Sequence, residues 1–180
     1  MADDRSAPAG RHIPDPGFAG DDGSPDGVLA AALAAYDGQP GPHLEVFLAL
    51  QHTRLLVPVV AVLGEVEHDA AGLAHDKSSD MATALLTGAD GRQALLAFTG
   101  LEPLARWRAD ARPVPVAATV AARSALQEGA AALLVDVAGP TSYVVEGHLL
   151  EGLARGWPLV VTDDGVAAWL EPADEAGATE

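Results

Sequence analysis

At 180 residues with 49% hydrophobic content and a formal charge of −16, the chain is sized for one soluble domain and charged against polyanions. Its ten Lys and Arg residues are one lysine, Lys77, and nine scattered arginines, which argues against counterion-releasing contacts to nucleic acid and against anionic lipid surfaces. Cysteine is absent, which removes disulfides, thiolate metal sites and cysteine nucleophiles.

The first 25 residues are rich in Gly, Pro, Asp and Ala without a hydrophobic period, and are predicted to form a disordered acidic arm. They lack the basic and apolar regions of a signal peptide, so a cytoplasmic protein is expected. The longest apolar runs, Val28–Tyr36 and Leu55–Leu63, are too short to span a bilayer. Asp26 is placed to cap a helix over 27–36, whose Val28, Leu29, Ala32, Leu33 and Tyr36 make one apolar stripe. Asp37-Gly38 and the prolines at 40 and 42 end it. A second helix is expected over 43–52, with Leu44, Phe47, Leu48 and Gln51 on one side. The run 55–63 reads as a buried strand, and Pro58, lacking a ladder donor, predicts an edge position or a bulge.

A polar connection follows at 64–80, then strands at 81–87 and 93–98 joined at Asp90-Gly91, then a helix at 101–109 carrying Trp107. Residues 113–116 are extended, 117–128 helical and 131–136 a buried strand. Asp136 and Gly139-Pro140 turn the chain into a strand at 142–145, followed by a helix at 147–155. Two short strands flank the hairpin signal Asp163-Asp164-Gly165, and 171–180 form an acidic tail. Interleaved helices with recurring hairpins predict an α/β (α+β) domain over 26–170: a mixed, largely antiparallel sheet with helices packed on it. With aromatics at 4%, Ala, Val and Leu must fill the core, which makes Trp107, Trp157 and Trp169 important anchors.

Several motifs that carry chemistry are missing: the phosphate-cradling glycine loops, the zinc-protease helix motif and the nucleophile elbow. Asp22-Gly23-Ser24-Pro25-Asp26-Gly27 opens like a calcium loop, but the twelfth position, which needs a bidentate Glu, is Leu33. His68-Asp69 and His75-Asp76 have a spacing that zinc would accept, yet their Gly-containing polar setting reads as a solvated loop. No metal or other cofactor is expected.

The residues that best fit a site are Asp80, Thr99, Arg112 and Asp136, which border strands and combine opposite charges. Asp136 closes a buried strand, where open α/β sheets bind ligands. The competing structural roles are a turn opened by Asp136, a cap from Asp80, a helix start at Thr99 and a surface ion pair for Arg112.

KSSDMA (77–82), DGR (90–92), the AFTG–LEPLARW stretch (97–107), ARPVPV (111–116), the alanine-rich helix with Gly129 (117–130) and LLVDVAGP (133–140) together resemble actinobacterial SseB-family proteins, specifically the SseB N-terminal domain. The resemblance implies a compact α/β domain over about 26–170 and a link to serine sensitivity, the phenotype behind the family name. It transfers no catalytic residue and defines no reaction. Some relatives carry a further C-terminal domain, and with a short tail read after Glu171 a function needing that domain is not expected; a persulfide-carrying sulfurtransferase would need a cysteine. The expected function is a non-catalytic binding or regulatory module whose partner is a protein or a small metabolite. The alternative is an enzyme using Asp80 or Asp136 as acid or base, with Arg112 holding an anionic substrate.

Overall fold

The computed structural model describes residues 17, 18, 20–63 and 79–171. The His-Asp dipeptides, Lys77 and the acidic tail from 172 onward lie outside that set.

Helix α1 (Gly27–Ala35) starts where Asp26 accepts from the Val28 and Leu29 amides, at 2.9 and 3.0 Å. That use of the carboxylate accounts for the calcium-like spelling of 22–27. Helix α2 (Pro40–Leu50) begins three residues before the expected boundary, because a proline in the first turn surrenders no hydrogen bond. Gln51, read from periodicity as part of the apolar side, instead works like a strand backbone. Its amide donates to Leu159 O at 2.9 Å and accepts from Leu159 N at 2.8 Å.

Strand β1 (Arg54–Leu63) is central rather than at an edge. It pairs antiparallel with β2 (Ser79–Thr83) on one side and β5 (Arg112–Ala117) on the other. Pro58 is tolerated for a different reason than edge placement. Leu56 N–H donates to Phe98 O, so the Pro58 nitrogen two residues on points the same way. It falls between that bridge and the β2 ladder, which begins at Val59.

The run expected as one strand at 81–87 is split at Ala84 into β2 and β3 (Leu85–Thr87). Ala84 N–H donates to Pro58 O, and its carbonyl accepts from Leu96, so the two halves serve different sheets. The second sheet has the order β3, β4 (Gln93–Ala97), β6 (Ala132–Val135), β7 (Tyr143–Glu146). Only β4 and β6 run parallel among the described strands; every other pairing is antiparallel.

The remaining helices are α3 (Leu101–Trp107), α4 (Ala118–Gln127) and α5 (Gly147–Arg155). Helix α4 buries Ala118, Ala121, Ala122 and Ala125, a small-residue stripe at helical spacing that lets its backbone approach its neighbours closely. Helices α1, α2, α4 and α5 cover one sheet face around Phe47, Leu95, Leu133, Tyr143 and Leu153. The opposite face holds a smaller cluster of Leu56, Ala84, Leu96, Phe98, Leu104 and Ala111, with α3 and Trp107 against it. A terminal hairpin, β8 (Leu159–Val161) and β9 (Ala167–Trp169), closes the large core. Its Trp169 meets Phe47 edge to face at 5.8 Å. A Cβ on Gly152 would lie well inside contact distance of the same indole, so only glycine permits this docking. The architecture is therefore α+β, a mixed and mainly antiparallel sheet system with helices packed on it. Among the described residues no helix is long and apolar enough to cross a membrane.

Candidate functional site

Because β4 and β6 are parallel and in register from Ala94↔Ala132 to Ala97↔Val135, their carboxyl ends coincide. Thr99 and Asp136 follow those ends. The Asp136 amide still donates to Ala97 O at 3.0 Å; the residue then takes φ 54°, the one left-handed non-glycine among the described residues. Aspartate tolerates that region better than most side chains. The turn is held as Asp136 O accepts from Gly139 N–H at 2.8 Å and from Ser142 Oγ at 3.1 Å.

This kink brings the carboxylate onto Thr99. Oδ1 accepts from the Thr99 amide at 2.9 Å and Oδ2 from the Thr99 hydroxyl at 2.7 Å. Both residues are buried, with 4% and 5% of their surface exposed. Burial pushes the Asp136 carboxyl above the usual carboxylate range, while the two bonds from Thr99 oppose that shift.

The pair lines a cavity of about 210 Å³. Leu33 of α1 and Pro103 of α3 give it apolar surface, and Thr141 adds a hydroxyl. Glu102 and Arg106, also lining residues, form an ion pair one turn apart on α3. Pro25 contributes a further wall from the segment before α1. Behind Thr99 lies a second layer. Arg54 donates through Nη1 to Thr99 O, and through Nη2 to Asp21 Oδ1 at 2.7 Å and Ser24 O at 2.8 Å. The Arg54 guanidinium in turn holds the Asp21 carboxyl below its ordinary range.

Of the four residues favoured from sequence, Thr99 and Asp136 are thus in direct contact. Arg112 opens β5, exposed, in register with Val59, and is not among the residues lining this cavity. Asp80 belongs to β2, opposite Val62 on the other side of β1; its side chain lies outside the described set. Sequence reasoning missed Arg106 and Glu102, although their i, i+4 spacing directly after Thr99-Gly100 was a usable signal. It also missed Arg54 and Asp21, for which no local signal exists, since they meet across 33 residues.

A second polar cluster joins α2 to β7. The Tyr143 hydroxyl donates to His43 O at 3.0 Å and lies 3.3 Å from His43 Nε2, while the Tyr36 hydroxyl is 3.5 Å from Nδ1. Burial lowers the His43 pKa and raises that of Tyr143, so both are neutral near pH 7. Neutral and ring-packed, the group pins the two elements together. No group of His, Asp or Glu among the described residues is arranged to hold a metal ion.

Fold and site together define a small α+β domain with a buried carboxylate–hydroxyl pair behind a charge-rimmed cavity. The family model of the SseB protein N-terminal domain matches residues 29–152, from α1 into α5, and the chain belongs to that family. No curated protein and no solved structure matches it.

Proposed function

We propose that this domain is a non-catalytic binding or regulatory module of the cytoplasm whose ligand is a small zwitterionic metabolite, of the free amino acid class. The observation that carries the reading is the cavity at Asp136 and Thr99, which sets a cation, Arg106, and an anion, Glu102, beside an apolar floor. At about 210 Å³ it is smaller than the roughly 300–1,000 Å³ of drug-sized sites, so the ligand has few heavy atoms. Arg106 would exchange its pair with Glu102 for the ligand carboxylate, and Glu102 with Thr141 would take the ammonium end. Both Asp136 oxygens already accept from Thr99, which suits a group that shapes the cavity better than one that relays protons.

The serine-sensitivity phenotype implied by the family name makes L-serine the first compound to try. Calorimetric titration of the full chain with single amino acids tests the proposal. Binding that is lost in Arg106→Ala supports it; absence of heat for every amino acid at millimolar concentration overturns it.

One observation favours a second reading, a protein partner. The sheet face opposite the helices leaves Leu86 and Val144 42% and 41% exposed, with Leu134 half-buried between charged Arg92, Asp90 and Glu146. An apolar patch with a polar rim is a feature of interaction surfaces. A pulldown from the native host that is lost on Val144→Asp, with the fold retained, would favour it over the metabolite.

A further inference from the structure

Residues 21–25 have no helical or strand pairing, yet they are tied to the site at several points. Arg54 holds Asp21 through two nitrogens and also takes the Ser24 carbonyl. The side chains of Arg54 and Asp21 are only 12% and 14% exposed. Leu101 N–H donates to Gly23 O at 2.9 Å. Gly100, buried and extended, has room for no side chain, because a Cβ would come within 2.9 Å of both Gly23 O and the Pro25 ring.

We propose that residues 21–25 form a releasable strap, latched by Arg54, which closes one side of the cavity at Asp136 and whose detachment widens the way in for the ligand. The strap has the parts such a device needs. Its anchor is confined to one side chain, so release breaks the Arg54 bonds to Asp21 and Ser24 O and leaves Arg54 its bond to Thr99 O. Nothing in the sheet ladder depends on it, so detachment leaves β4 and β6 paired. Pro25 moves with it, removing a wall of the cavity. The gating role rests on the ligand reading above, whereas the latch itself is measurable without any ligand.

Two substitutions release the strap by different physics. Asp21→Asn discharges the anchor and leaves the bond from Arg54 to Thr99 O in place. Gly100→Ala strains no backbone at its extended φ, and pushes a methyl group into Gly23 O. Amide hydrogen exchange on the full chain reads the outcome. Exchange at Leu101, whose amide donates to Gly23 O, should accelerate about tenfold in both variants, while the Thr99 and Asp136 amides, bonded to Asp136 Oδ1 and Ala97 O, keep their protection. L-serine should then associate faster. Unchanged exchange at Leu101, or acceleration across the whole sheet, would overturn the strap, as would an L-serine association rate that ignores both substitutions. Faster local exchange without any amino acid binding would leave the latch standing and overturn the ligand assigned above.

Discussion

Leu133 and Leu134 are neighbours on β6, yet one is sealed beneath helices and the other is half-buried on a face that α3 covers only in part. The alternation of a strand sends them to opposite sides. What differs is the roof. Helices α1, α2, α4 and α5 supply Phe47, Leu150, Leu153 and the alanine stripe to one face. The other receives Leu104 and Trp107, and beyond Phe98 its apolar side chains run out into the exposed Leu86 and Val144. One face therefore holds the larger share of the buried core. The other leaves apolar side chains at the surface.

The sharpest way to break that comparison is Leu133→Ala, which should cost about 3–4 kcal/mol in chemical denaturation; a loss near 1 kcal/mol would mean the large core is loosely packed. Next, Asp136→Ala should cost about 2–3 kcal/mol, since it strands the Thr99 donors in a buried setting. Asp136→Asn keeps an acceptor for the Thr99 amide and suits the left-handed backbone, so its loss should stay within about 1 kcal/mol. Trp107→Ala should cost about 2 kcal/mol, below the range for fully buried indoles, because Trp107 is only half-buried against Phe98.

Acidity sharpens the picture at the strand ends. The folded-state pKa of Asp136 is raised by burial. The stability this group contributes is therefore fully present below its unfolded value near 3.8, and is lost as pH rises through the folded value. Denaturation series of the wild type and Asp136→Asn should show the variant gaining on the wild type as pH rises above about 4. A constant difference across that range would mean the carboxylate is better hydrated than its geometry implies. The smallest effect belongs to the open face: Leu134→Ala should cost about 1 kcal/mol, from a side chain that keeps part of its water.

Much of the fold was legible in the chain. Asp26 marked the start of α1, and Asp90-Gly91 and Asp163-Asp164-Gly165 marked hairpins. These are local signals, each written within a few residues of the structure it dictates. The site was legible only in part. Thr99 and Asp136 stand out as polar residues at the ends of apolar runs, a pattern that strand geometry alone explains. The docking of residues 21–25 was not readable, because their composition matches that of an arm and their anchor, Arg54, is remote in sequence. Pro58 misled for the same reason: its cost depends on which neighbour its nitrogen faces, and that neighbour is Ala84 of another segment.

By itself, then, the sequence determined most of the helices, strands and turns and the lack of cysteine chemistry, all of which follow from short-range sterics and composition. Only the tertiary structure decided that β4 and β6 run side by side in the same direction, which is what sets a carboxylate against a threonine 37 residues away. It also decided which face was left open. Both outcomes depend on the competition among elements for one buried surface, and no single segment encodes its result.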